Sequence, residues 1–254
     1  MTLNKGGKIQ VIILAGGKGT RMNSDLPKVL HQVKGKAIIH HVLDGIQSIC
    51  EKPTIIVGHQ AELVKESTGN KYHYVFQEKQ QGTGHAVSVA RSELQSRSDI
   101  GHIVVIPGDA PLISAVTLRE LVSKREASHA VMVLATIDVP NYEGTNSVYY
   151  NYGRIIRKSD ETLDRIIELK DASPDVRAMT EVNVGYYCFD PDWLWSKIDT
   201  IQNINAAHEL YLTDLLQFAT SENMAVDVVR IGNVLEGLGI NTPEQLALVE
   251  KCIL

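Results

Sequence analysis

Residues 9–15, IQVIILA, are apolar almost without a break, and the run ends in Gly16-Gly17. A segment with no polar face predicts a strand buried on both sides, as in a parallel sheet. PTIIVGH (53–59), KYHYVFQEK (71–79) and HIVVIPGD (102–109) predict three more strands. Between the first two runs, KVLHQVKGKAIIHHVLDGIQSI (28–49) has helix-compatible spacing, and HAVSVARSELQ (85–95) is helical as well. Strands alternating with helices at this spacing predict a doubly wound α/β sheet.

Past residue 130 the rhythm changes. AVMVLATI (130–137) and EVNVGYYCF (181–189) predict strands, and residues 147–172 predict short strands joined by polar turns. A helix-rich tail follows, with PDWLWSKI (191–198) and HELYLTDLLQFAT (208–220), then a strand AVDVVRI (225–231) and a last helix. Thr242, Pro243 and Gln245 predict the start of that helix, as cap, first helical residue and capping partner three residues on. No repeat or linker divides the chain. It is expected to form one domain over residues 1–254, with an α/β part (1–136), a β-rich part (137–224) and a closing strand and helix (225–254).

Composition narrows the function. With 25 basic and 30 acidic residues the net charge is −5, which argues against a nucleic acid or membrane-surface partner. Positive charge is instead local, in Lys18, Arg21, Lys28, Lys34 and Lys36. Cys50, Cys188 and Cys252 lack metal-ligand spacing and predict reduced bystanders. The polar start MTLNKGGKIQ and the short apolar run after it predict neither a signal sequence nor a membrane span, so a cytoplasmic location is expected.

The local charge surrounds LAGGKGTRMNSDLPKVLH (14–31). Small residues let backbone N–H groups approach anionic oxygens, and basic side chains behind a strand end complete a phosphate cradle. GxxxxGK[ST] fails because Gly19 follows Lys18, and GxGxxG is absent, which disfavours P-loop and dinucleotide-binding enzymes. Taken alone, the loop is also compatible with a glycine-rich turn bearing solvated cations.

The stretch resembles the signature of sugar-1-phosphate nucleotidyltransferases. Its short spacer and the continuation Pro27-Lys28-Val29-Leu30-His31 are most similar to the bacterial N-acetylglucosamine-1-phosphate uridylyltransferase domain. QEKQQGTGHAV (77–87), PGDAPL (107–112), NYGRIIR (151–157), IIELKDA (166–172), EVNVGYY (181–187), ELYLTD (209–214) and GINTPEQLA (239–247) match further family segments in order. The resemblance implies a Rossmann-like mixed, mainly parallel sheet flanked by helices, with a β-rich sugar-binding elaboration.

It also implies the reaction of UTP with N-acetylglucosamine-1-phosphate to give UDP-N-acetylglucosamine and pyrophosphate, with Mg²⁺ as cofactor. Leu14, Ala15, Gly16, Gly17, Gly19 and Thr20 would then hold the nucleotide, together with Gln77, Gln80, Gly82 and Thr83 around the uracil. Arg21 would hold the leaving pyrophosphate and Lys28 would meet the charge developing at the α-phosphate. Asp109 and Asn241 would bind the metal, and Gly153, Glu168 and Asn183 the sugar phosphate. His31, His40, His41 and His85 are read as structural or surface residues, since the implied chemistry needs no histidine base.

Three departures from the family pattern bear on the sugar. Pro107 replaces a tyrosine, Ala206-Ala207-His208 replaces a polar, glycine-containing segment, and one extra residue lies between the Gly153 motif and Glu168. A uridylyl- or thymidylyltransferase for another hexose- or hexosamine-1-phosphate is therefore the alternative. A non-catalytic sugar-nucleotide sensor is disfavoured, because a sensor has no need of Arg21, Lys28, Asp109 and Asn241 together. The hexapeptide repeats of a left-handed β-helix are absent from the sequence. Neither acetyltransferase activity nor β-helix trimerisation is expected, but a monomer or weak oligomer.

Overall fold

The computed structural model describes residues 7–253; the polar start at residues 1–6 lies outside them. β1 (Lys8–Leu14) runs into the glycine-rich loop, followed by single-turn 3-10 segments at Thr20–Met22 and Lys28–Leu30. A short hairpin of β2 (Gln32–Val33) and β3 (Lys36–Ala37) leads to α1 (Ile38–Ile46). Next come β4 (Thr54–Val57), α2 (Ala61–Thr68), β5 (His73–Phe76), α3 (Thr83–Ser88), α4 (Arg91–Leu94), β6 (Ile100–Pro107) and α5 (Ala115–Ser128). The remainder holds β7 (Met132–Asp138), a 3-10 segment (Gly144–Asn151), the hairpin β8 (Arg154–Arg157) to β9 (Leu163–Ile167), α6 (Pro174–Ala178) and β10 (Glu181–Phe189). α7 (Pro191–Lys197), α8 (Asp214–Ser221), β11 (Val226–Arg230) and α9 (Pro243–Cys252) end it.

The main sheet has the order β11-β7-β10-β6-β1-β4-β5, with β8 and β9 attached through β10. Along this order neighbours pair in parallel except at β10, which is antiparallel to both β6 and β7; the attached β8 is antiparallel to β10 and to β9. This is the mixed, mainly parallel sheet expected from the sequence.

The apolar runs explain why helices cover both faces. On β1, Val11 and Ile13 join Ile38, Val42 and Ile46 of α1 and Leu118 and Leu121 of α5. Ile12 points the other way and joins Val87 of α3, Leu194 of α7 and Leu215 and Leu216 of α8. Alternate residues of a strand face opposite sides, so a strand without polar positions is stable only between two apolar layers. Each such isoleucine contributes about 1.5–3 kcal/mol on burial.

Local chemistry redraws several elements. The helix expected over 28–49 is confined to Ile38–Ile46. Lys34 and Gly35 both have positive φ (52° and 77°) and turn β2 back onto β3, pairing Val33 with Lys36. The helix expected over 208–220 begins only at Asp214. Upstream, Leu210 donates to the Gln81 carbonyl (2.7 Å) and accepts from Gly84 N–H (2.8 Å), and these tertiary bonds hold the segment out of the helix. The helix expected over 85–95 is split into α3 and α4.

α5, for which the pattern predicts no element, starts at Ser114, whose hydroxyl accepts from Thr117 N–H at 3.2 Å. Its inner face carries the buried Arg125, which donates to His102 Nδ1 (3.0 Å) and the Gly101 carbonyl (2.7 Å) and so masks the apolar stripe. Among the described residues no helix is long and apolar enough to cross a membrane. The three cysteines are free, with Cys50 and Cys188 buried.

Candidate functional site

The ends of β1, β5 and β6 meet where an open α/β sheet offers its strand carboxyl ends to ligands. Backbone bonds fix this edge: Ala15 N–H to the Ile56 carbonyl (2.9 Å), Gly108 N–H to Leu14 (2.9 Å) and Gln77 N–H to Val57 (2.8 Å). Gly19 has φ +62°, and a Cβ there would lie 2.7 Å from Lys28 Cβ. Glycine is required on both counts, and it lets the loop close over Lys28.

Lys28 opens its 3-10 turn directly after Pro27. Its ammonium pairs with the Asp109 carboxylate and donates to Asn241 Oδ1 at 2.8 Å. Arg21, exposed on the preceding turn, also donates to Asn241 Oδ1, at 3.0 Å. Asp109 and Asn241 are held in register, because Ile240 N–H donates to the Asp109 carbonyl (2.9 Å). The cap of α9 holds Asn241 from the other side: Gln245 N–H donates to Thr242 Oγ1 (3.3 Å), while Gln245 Oε1 accepts from Asn241 N–H (2.7 Å). A carboxylate oxygen and an amide oxygen thus converge on one cationic centre. That donor set fits a hard divalent cation whose remaining ligands are phosphate oxygens and water.

Two hollows open on either side of this centre, each with a cavity volume of about 310 Å³. Leu14, Ala15, Gly16, Gly17, Gln77, Gln80, Gly82 and Thr83 line the first, with Lys28 and Asp109. Gly82 has φ +111°, and a Cβ there would come within 2.5 Å of the Leu210 carbonyl oxygen, so a side chain is excluded. Gln77 is buried, its Nε2 reaching the Gly82 carbonyl (3.3 Å) and His85 Nδ1 (2.9 Å). Gly19, Thr20 and Arg21 lie outside both linings, on the chain between Gly17 and Lys28.

Gly153, Glu168 and Asn183 line the second hollow together with Asp109 and Asn241. The two hollows share Leu14, Thr83, Pro107 and Asp109. Glu168 accepts from Thr213 Oγ1 at 3.2 Å. Burial pushes its carboxyl up to about 7, reinforced by the Asp171, Asp214 and Glu209 carboxylates. Asp214 is pushed up to about 6, by burial and then by Asp171. Asn183 donates to the Tyr187 hydroxyl (2.6 Å), while its Oδ1 accepts from Gly185 N–H (3.2 Å).

The structure therefore brings together all the sequence-predicted residues except that Gly19, Thr20 and Arg21 stand at the rim. It adds Tyr152, Thr213 and Tyr187 to the second hollow. Tyr152 donates to the Gly237 carbonyl (2.9 Å) and accepts from Gly239 N–H (2.8 Å), joining the Gly153 wall to the loop before Asn241. Its place in NYGR is visible in sequence, but its partners are not.

A family model described as the MobA-like NTP transferase domain matches residues 11–173. The bifunctional protein GlmU of Staphylococcus haemolyticus is 40% identical over 245 residues, covering 95% of this chain and 52% of that protein. GlmU of Streptococcus agalactiae serotype V is 40% identical over 241 residues, covering 94% and 50% respectively. The chain spans about half the length of the curated relatives it matches. Among solved structures, a UDP-glucose pyrophosphorylase complexed with UDP-glucose superposes with a TM-score of 0.75 at 16% identity, covering 96% of this chain and 98% of that one. A putative glucose-1-phosphate thymidylyltransferase from Bacillus anthracis gives 0.70 at 18% identity, covering 96% and 94%. At these identities the likeness speaks for the fold alone.

Proposed function

Because the chain belongs to the MobA-like NTP transferase domain family, we propose that it is a uridylyltransferase, joining UTP and N-acetylglucosamine-1-phosphate into UDP-N-acetylglucosamine with release of pyrophosphate. The observation that carries this reading is the pair of contiguous hollows that share Asp109 as a wall. Relatives named GlmU, matched along nearly the whole of this chain, support it.

The first hollow takes the uridine, with Gln77 and the Gly82 backbone at the base and the loop from Gly16 over the phosphates. The second takes the sugar, whose hydroxyls and N-acetyl group meet Glu168, Asn183 and the Gly153 backbone. A phosphate oxygen of the sugar phosphate attacks the α-phosphorus in line, and the bond to the bridging oxygen of pyrophosphate breaks. Both reactants are anions, so the protein's work is positioning and charge compensation. The Lys28 ammonium sits where charge accumulates on the α-phosphate oxygens. The planar Arg21 fork at the rim receives the departing pyrophosphate.

Asp109 and Asn241 would hold Mg²⁺, which supplies charge neutralisation on the phosphates when bound. In-line attack by the sugar phosphate needs no covalent nucleophile from the protein.

Pyrophosphate release tests the reading, with UTP, dTTP, CTP and GTP each offered against N-acetylglucosamine-, glucosamine- and glucose-1-phosphate. The expected result is the highest kcat/KM for UTP with N-acetylglucosamine-1-phosphate. Preference for another nucleotide would overturn the base assignment, and preference for another sugar would point to the changed walls at Pro107 and Ala206–His208.

A further inference from the structure

Gln77 is a buried polar side chain in the wall of the first hollow, 4% exposed. Its amide Nε2 has two partners within the protein: the Gly82 carbonyl at 3.3 Å and His85 Nδ1 at 2.9 Å. A backbone carbonyl can only accept, so the amide atom facing it must be nitrogen; the flipped amide would set its oxygen against the Gly82 carbonyl oxygen. The same nitrogen reaches His85. The imidazole Nδ1 is therefore the acceptor, and the ring proton sits on Nε2. Both N–H bonds of the amide are consumed inside the protein.

The amide oxygen is left over. Oε1 lies beside the Gly16 backbone, where a Cβ would come within 3.2 Å of it, and it has no hydrogen-bond partner among the described residues. The hollow thus receives a fixed acceptor rather than an amide free to turn. An outward acceptor matches a pyrimidine whose ring N3 carries a proton, as in uracil. It opposes one whose N3 carries a lone pair, as in cytosine.

We infer that His85 is a positioning residue for base selectivity, locking the Gln77 amide with its oxygen toward the base. This rests on the reading that the first hollow takes the nucleotide base. The Gly82 carbonyl at 3.3 Å is the longer of the two tethers. Without Nδ1, the amide turns readily and presents Nε2 to a cytosine N3. The backbone of His85 stays in place regardless, because α3 is anchored by the buried Ala86 and Val87 that follow it.

The test compares kcat/KM for UTP and CTP in the wild type, His85→Ala and His85→Asn, with the sugar phosphate saturating. Alanine keeps the helix but removes the acceptor, whereas asparagine places an amide oxygen close to the position of Nδ1. The UTP:CTP ratio is expected to fall about tenfold in His85→Ala, equivalent to one net hydrogen bond, and to return in His85→Asn. The KM for the sugar phosphate should not change. A second readout needs no nucleotide: the Gln77 side-chain amide protons, followed by NMR, should exchange slowly in the wild type and His85→Asn and faster in His85→Ala. An unchanged ratio or unchanged exchange in His85→Ala overturns the role of His85. A wild type with no preference for UTP over CTP overturns the uridine reading itself, and the inference with it, and the wild-type measurement alone reveals that case.

Discussion

The two hollows have the same cavity volume and share Asp109, yet their walls are built in different ways. The first is made mostly of short stretches within 14–17, 77–83 and 107–109, at the ends of β1, β5 and β6, with Lys28, Val29, Ala86 and Glu209 added. Its lining sets the glycines at 16, 17 and 82, where no side chain intrudes, beside the side chains of Lys28, Gln77, Gln80 and Thr83. The second is assembled from residues 151–153, 168, 183–187, 212–213 and 237–241, which meet only in the folded chain. Its chemistry is carried by side chains: Tyr152, Glu168, Asn183, Thr213 and Tyr187. A triphosphate presents much the same surface whatever its base, and a contiguous loop can hold it. A sugar is distinguished by the directions of its hydroxyls, which calls for side chains brought from several elements.

The sharpest way to break this contrast is at Asp109, the charged residue among those the hollows share. Asp109→Ala removes the carboxylate that pairs with Lys28 and leaves Asn241 as the remaining oxygen of the converging pair. The expected fall in kcat is about 10³-fold, in the range of a lost electrostatic group at a developing charge. The melting temperature should move by only a few degrees, since Ile240 stays bonded to the backbone of residue 109 and not to its side chain. Near-normal turnover in this variant would mean that the hollows do not meet in the reaction.

The contrast also sharpens at Glu168. Its carboxyl is pushed up to about 7 from an ordinary 4.5, first by burial and then by neighbouring carboxylates. The folded protein therefore keeps a proton that the unfolded chain releases. The stabilising contribution is present below pH 4.5 and is lost as pH rises through 7, and above that the buried charge is a cost. Glu168→Gln removes the cost, so its gain in melting temperature over wild type should be larger at pH 8 than at pH 5. About 1–3 kcal/mol is at stake, or several degrees for a chain of this size. At pH 8, where Glu168 is ionised, the same variant should lower kcat/KM for the sugar phosphate about tenfold, because an amide is a weaker acceptor for a hydroxyl than a carboxylate. A difference in melting temperature that does not vary with pH would mean this wall is solvated and electrostatically ordinary.

The same division decides what could be read in the sequence. The loop from Leu14 to Lys28 is legible because its strand end, glycines and cations are consecutive. β1, β4, β6 and β10 are legible because buried strands leave apolar runs. The start of α9 is legible because Thr242, Pro243 and Gln245 signal locally. α5 was hidden by Arg125, a charge on an inner face that is neutral to packing only because His102, Gly101 and Asp190 receive it. The hairpin at Lys34-Gly35 was hidden inside helix-like spacing. In sequence His85 is a structural or surface residue, and its bond to Gln77 depends on how the turn after β5 folds back on α3. Nothing local marks such pairings, because each joins residues whose proximity is a product of the sheet.

Tyr152 offers the finest test of whether the two hollows act separately. Its hydroxyl joins Gly237 and Gly239, 85 and 87 residues further along, and so holds the Gly153 wall against the loop that ends in Asn241. Tyr152→Phe keeps the ring, and with it the edge contact to Tyr149 at 5.1 Å between centroids, but breaks both bonds. The Gly237 carbonyl and Gly239 N–H, both on buried residues, would then lack their partner, a loss of about 1–3 kcal/mol that movement of the loop can relieve in part. Such movement shifts Asn241, two residues beyond Gly239, and the wall of the second hollow. The Mg²⁺ concentration for half-maximal rate and the KM for the sugar phosphate should therefore both rise, by about five- to tenfold. The KM for UTP should stay within about twofold, because Tyr152 is not in the wall of the first hollow. An equal rise for UTP would show that the hollows move as one body, and the difference in how their walls are made would then have no counterpart in how they work.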